Sequence, residues 1–155
     1  MTPVRFTPSD PDFEARIRGS FARQGAMALI GAELTRVEPG LVVIELPFRP
    51  DLTQQHGFFH AGMTSTIADT AAGYAGYTLF PAESSVLTAE FKINLVAPAD
   101  GERLIATGRV IKPGRTLSLC EMEVMAVKNG TAKLCAYGLQ TLVCLIGRSD
   151  MPDAG

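Results

Sequence analysis

The 155-residue chain has no tryptophan and only two histidines, His56 and His60. Its three cysteines, Cys120, Cys135 and Cys144, are odd in number and form no CxxC pair. That argues against a disulfide framework or a thiolate zinc site. Each lies in an apolar or alternating run, the setting of a buried structural thiol. No apolar run approaches the roughly 18 residues of a membrane span. Neither sign of charge dominates: 14 basic residues stand against 16 acidic ones, a net charge of −2. A broad nucleic-acid or anionic-membrane footprint is therefore not expected. The opening MTPVRFTPSDPDFEARIRGS has early acids and prolines and no apolar h-region, so it does not read as a signal peptide. A cytoplasmic protein is expected.

What remains is an ordinary globular composition, 46% apolar and 19% charged. A chain of this length buries roughly 70% of its unfolded surface, enough for one self-sufficient core. One domain over 1–155 is expected, with an arm and short helix over 1–27 and a core over 28–145. Phe13, Ile17 and Phe21 recur every four residues, one face of a helix over 12–24. Asp10 or Asp12 would cap it and Gly25 would end it. Residues 28–37 and 41–48 read as strands around the hairpin signal Glu38-Pro39-Gly40. Residues 59–80 form the one long helix candidate, stopped by Pro81. Six of the nine residues from Ala68 to Gly76 are Ala or Gly, a thin helix that neighbouring backbone can approach closely.

Strands are expected over 86–96, 103–111, 116–127 and 132–145, with Asn129-Gly130 as a type I′ hairpin turn. Strict alternation in the first would put Leu87, Ala89, Phe91, Ile93 and Leu95 on one face and Thr88, Glu90, Lys92 and Asn94 on the other. One helix among antiparallel strands argues for an α+β fold. A curved sheet around a single helix leaves apolar surface and open edges, which oligomerisation handles.

Asp69 is the one carboxylate in the long helix, flanked by Ile67, Ala68, Ala71 and Ala72. A solvated helix face is its plain explanation. A helix apolar nearly all round is buried, however, and that favours an acid in a cleft. His60 stands at the helix start, before Ala61-Gly62. First-turn N–H groups have no intrahelical partner and suit a developing oxyanion. Nine residues separate His60 from Asp69, roughly 13 Å along a helix. Either the substrate is long or a second protomer completes the site. His56 and His60 lack the third ligand and the glutamate of a metal-binding helix, so no metal is expected.

In order and spacing, Gln54, His60-Ala61-Gly62 and Asp69 within IADTAAGYA resemble the hotdog-fold acyl-CoA thioesterases of the phenylacetate-degradation (PaaI-like) branch. The segments VAPADGERL and KPGRTL extend the resemblance over residues 28–145. It implies a long central helix wrapped by a curved antiparallel sheet. It also implies hydrolysis of a medium-chain or aryl acyl-CoA, with Asp69 as general base or nucleophile. By the same resemblance the Ala61 N–H polarises the thioester carbonyl, Gln54 orients the nucleophile or water, Thr88 holds the water, and His60 supports the loop. Ala61 stands where the family has Gly, and Gln54 where it usually has Asn; Gln55 or His56 could take the amide role.

CoA phosphates would meet the turn Lys112, Gly114, Arg115 and Thr116, with Gly62 also on the substrate and Arg148 a lesser candidate. No cofactor is implied, since CoA is part of the substrate. The resemblance implies a homodimer with Asp69 and Ala61 from different protomers, and a dimer-of-dimers tetramer. The alternatives are a non-catalytic acyl-CoA sensor and a hotdog hydratase or dehydratase.

Overall fold

The computed structural model describes residues 5–152. The two ends of the sequence-predicted domain, 1–4 in the arm and 153–155 in the tail, lie outside the described residues. Two short helices, α1 (Phe13–Ala22) and α2 (Gly25–Ile30), precede β1 (Glu33–Glu38) and β2 (Leu41–Pro47). A 3-10 turn at Pro50–Leu52 leads to the long helix α3 (Ala61–Tyr77). Four strands follow: β3 (Ser84–Leu95), β4 (Arg103–Lys112), β5 (Leu117–Lys128) and β6 (Thr131–Ile146). All six form one antiparallel sheet in the order β1-β2-β4-β5-β6-β3, with α3 against one face. This is the hotdog arrangement, an α+β fold.

The small-residue stretch does what its composition suggests. Every residue from Ala71 to Tyr77 is buried. A Cβ on Gly108 of β4 would lie 2.4 Å from backbone atoms of Ala71 and Ala72. Helix and sheet thus touch backbone to backbone, which requires glycine on the sheet and alanine on the helix. α3 ends at Tyr77, short of Pro81, and its last carbonyls are met from α1. The Arg16 guanidinium donates to the carbonyls of Tyr77 (3.1 Å), Phe80 (2.9 Å) and Pro81 (2.6 Å). It also lies 4.4 Å above the Tyr77 ring, a cation placed at the negative end of the helix. Asp10, not Asp12, supports the start of α1: its Oδ1 accepts the Asp12 N–H at 2.9 Å and its Oδ2 pairs with Arg16 at 3.1 Å.

Two local readings change. Residues 25–30 are helical, and Gly25 begins a helix where the sequence suggested an end. Met27 and Ile30, three apart, bury one face of α2, and Gly31 closes it at φ +76°. Second, β3 carries a bulge at Ala89: Thr88 pairs with Leu142 and Glu90 with Thr141. The extra residue reverses the alternation. Thr88 therefore shares the helix-facing side with Phe91, Ile93 and Leu95, and Leu87 turns to the outer side. The Asn129-Gly130 turn has φ +50° and +75°, as a type I′ hairpin requires.

Candidate active site

Asp69 lies half-buried on α3, where the apolar helix meets β3 and β6. The Thr88 hydroxyl donates to its Oδ1 at 2.7 Å. The Gln140 side-chain amide donates to the same Oδ1 at 2.7 Å and to Thr88 Oγ1 at 2.7 Å, and lies 3.3 Å from the Asp69 carbonyl. Gln140 is fully buried. Three elements therefore converge on one carboxylate oxygen. A cleft of about 290 Å³ opens beside it, between Asp69, Gly73 and Tyr74 of α3 and Val86 and Thr88 of β3. The Tyr74 hydroxyl is committed elsewhere, to Ser20 and Gln24 at 2.9 Å each.

Gln140 was missed from sequence. It sits on the core-facing phase of β6, between Gly138 and the buried Leu142. A long polar residue at an apolar position of a strand is the signal that marks it.

The start of α3 forms a second centre. His60 caps the helix: its Nδ1 accepts the Gly62 N–H at 2.8 Å, and its own N–H donates to Leu52 O at 2.9 Å. An accepting Nδ1 places the neutral ring's proton on Nε2. The N–H groups of Met63 and Thr64 both bond to His60 O. The Ala61 N–H alone of this turn finds no partner among the described residues. It borders a pocket of about 530 Å³ shared with Gln54 and walled by Phe58, Phe59, Leu95 and Val96. Thr64 lines it too, with a buried hydroxyl that has no partner among the described residues. Its neighbours Ser65 and Thr66 instead bond the carbonyls four residues back.

Gln54 and Ala61 thus share one cavity, while Asp69 and Thr88 share another. Eight residues of α3, about 12 Å, separate Ala61 from Asp69. The Gln54 Oε1 is occupied by the His56 N–H within the loop. Gln55 and His56 are exposed. Lys112, Gly114, Arg115 and Thr116 form an exposed turn that borders neither cavity. Gly114 is needed there for close approach, since a Cβ would lie 1.9 Å from Leu117 O. Arg148 lines a separate cleft with Arg16, Arg23 and Asp150. The cysteines are poor nucleophiles: burial pushes the Cys120 thiol up to about 12 and the Cys135 thiol up to about 11.

The family model of the Thioesterase superfamily matches residues 56–133, just over half of the chain. The chain belongs to the thioesterase superfamily. As a member it is a thioester hydrolase. Among solved structures, this thioesterase is 44% identical to a thioesterase family protein from Silicibacter pomeroyi, with a TM-score of 0.86 over 87% of this chain and 99% of that one. It is 29% identical over 111 residues to human acyl-coenzyme A thioesterase 13, covering 70% of this thioesterase and 76% of the human chain. The E. coli PaaI protein of the phenylacetic acid degradation operon shares the fold, with a TM-score of 0.77 at 18% identity over 89% of this chain and 96% of that one.

Proposed function

We propose that this thioesterase hydrolyses the thioester of a medium-chain or aryl acyl-CoA to the free acid and CoA. The observation that carries the reading is the pairing of one tethered carboxylate, Asp69, with one unpartnered first-turn N–H, that of Ala61. A thioester is already activated, so a carboxylate and an oxyanion donor suffice without a Ser-His-Asp triad. As general base, Asp69 takes a proton from water while that water's oxygen bonds to the acyl carbon. The carbonyl oxygen becomes an oxyanion against the Ala61 N–H. Collapse then breaks the carbon–sulfur bond, and the CoA thiolate leaves and gains a proton. As nucleophile, Asp69 would itself bond to that carbon, and water would then cleave the resulting anhydride.

Asp69 and Ala61 of one chain lie too far apart for one reacting carbon, and this supports a shared site in a homodimer. Within the described residues β3 pairs only with β6, which leaves a twelve-residue strand edge for a second copy. Pairing two such dimers would give the tetramer. The apolar pocket beside Ala61 suits an acyl chain or aromatic ring, and Gln54, His60 and Gly62 lie at its mouth or in the adjoining turn. Lys112 and Arg115, with the Gly114 and Thr116 backbone between and beside them, are the cations proposed to meet CoA phosphates. No described helix is long and apolar enough to cross a membrane, and a cytoplasmic location is proposed.

The test is thiol release from a panel running from acetyl-CoA through palmitoyl-CoA, with phenylacetyl-CoA and hydroxybenzoyl-CoA. Wild type is expected to turn over medium-chain or aryl members, and Asp69→Asn to lose roughly 10²- to 10⁴-fold in kcat with its melting temperature kept. Tight acyl-CoA binding without thiol release would instead make the chain a sensor.

A further inference from the structure

Gln140 lies outside the residues that the family resemblance carries over, yet its amide is the most constrained polar group around Asp69. We propose that Gln140 is a positioning residue that fixes the Asp69 carboxylate so that Oδ2 alone faces the chemistry. The proposal rests on the thioesterase reading above.

The hydrogen-bond inventory leads to it. A side-chain amide nitrogen carries two protons. The two short contacts of Gln140 Nε2, 2.7 Å to Asp69 Oδ1 and 2.7 Å to Thr88 Oγ1, use both. The Thr88 hydroxyl spends its single proton on Asp69 Oδ1, also at 2.7 Å. Oδ1 therefore receives two donors, while Oδ2 receives none among the described residues. Rotating the carboxylate would break both bonds at once. Thr88 is left with one lone pair, so it can accept from an attacking water but cannot donate to it.

Burial supports a role beyond packing. The nearest core-facing neighbours of Gln140 on β5 and β6 are mostly apolar, Cys120, Met122 and Leu142, with the Ser118 hydroxyl engaged at Gly114. The Gln140 Oε1 is buried there without a partner among the described residues, an unfavourable arrangement that a leucine or methionine would avoid. What the fold gains in exchange is the donor. Its placement is also rigid, because β6 holds Gln140 between β5 and β3, opposite Cys120 and Phe91. Position 73 leaves it room, since a Cβ there would stand 3.8 Å from Nε2.

The experiment compares Gln140→Met, Gln140→Leu, Gln140→Glu and Asp69→Asn in steady-state hydrolysis of the best acyl-CoA, with melting curves for each. The apolar variants are expected to lose roughly 10- to 100-fold in kcat, as misplacement by about 1 Å does. Their KM should stay within about twofold and their melting temperature should not fall. Gln140→Glu, which sets a carboxylate against a carboxylate, is expected to lose more. In a Thr88→Val background, Gln140→Met should cost less than in wild type, because the two side chains hold one oxygen together. A kcat within twofold of wild type for folded Gln140→Met, beside an inactive Asp69→Asn, would overturn the proposal. Variants that lose melting temperature but keep kcat per folded molecule would overturn it as well, by reducing Gln140 to packing. A fully active Asp69→Asn would instead overturn the thioesterase site on which the proposal stands.

Discussion

The two halves of α3 are built to different rules. From Ala71 to Tyr77 every residue is buried, and alanine and glycine admit the sheet backbone at Gly108. From Ala61 to Thr70 only Thr64, Ile67 and Ala68 are buried. That half carries a free N–H, an unpartnered hydroxyl and the carboxylate. The buried half fixes where the helix lies, and the open half uses the position. Small residues anchor a rod against the sheet, and polar groups accumulate where the rod emerges from it.

Substitutions can break each half separately. The largest effect is expected at Gly108→Ala, where a methyl would meet Ala71 and Ala72 backbone at 2.4 Å. A loss of more than about 3 kcal/mol is expected, beyond the usual overpacking range because backbone cannot rotate away. Thermal unfolding measures it. At the open half, Ala61→Pro is the matching cut. Proline is favoured at the first helical position, and His60 already has the extended backbone, φ −63° and ψ 139°, that precedes a proline. The variant deletes the unpartnered N–H and no hydrogen bond of the helix. A kcat loss of about 10²- to 10³-fold is expected with an unchanged melting temperature; unchanged turnover would remove Ala61 from the site.

Within the buried half, two glycines three residues apart should diverge. A Cβ on Gly76 would stand 2.3 Å from Leu142 Cδ1, whereas one on Gly73 meets only Gln140 Nε2 at 3.8 Å. Gly76→Ala is expected to destabilise by roughly 1–3 kcal/mol, and Gly73→Ala to stabilise by up to about 1 kcal/mol, both read by denaturant unfolding. The smallest effect at neutral pH concerns Cys120 below the same helix. Burial raises its thiol from 9.0 to about 12. The unfolded chain therefore releases this proton first as pH rises. The corresponding stability is intact below pH 9 and is lost between 9 and about 12. Chemical denaturation at pH 8 and pH 10.5 should differ less in Cys120→Ala than in wild type.

Much of this was legible locally. The long helix, the late strands and the Asn129-Gly130 turn carry their own signals in alternation, small residues and turn chemistry. Asp69 stood out because its helix is otherwise nearly uncharged. α2 did not, because six residues are too few to display a period, and its closure depends on the backbone of Gly31. The grouping of Leu87 with Phe91 failed for another reason: alternation assumes an unbroken pleat. Gln140 went unread: a polar residue in an apolar strand phase is a weak signal alone, and its meaning depends on Asp69 and Thr88, which lie 71 and 52 positions away in sequence. The separation of Asp69 from Ala61 followed from helix rise alone.

The extra residue at Ala89 reaches further than a local kink. It acts as a parity switch. Counted along the sequence, the inner face of β3 passes from even positions to odd ones at this point, so the hydroxyl at 88 and the apolar side chains at 91, 93 and 95 share one surface. Removing Ala89 would delete no contact of the carboxylate and would leave Thr88, Phe91, Ile93 and Leu95 together on the inner surface, because Thr88 and Glu90 already face consecutive residues of β6, Leu142 and Thr141. The bulge therefore acts as a buffer: the strand carries one extra residue while the lining of the cavity beyond it keeps its register with β6.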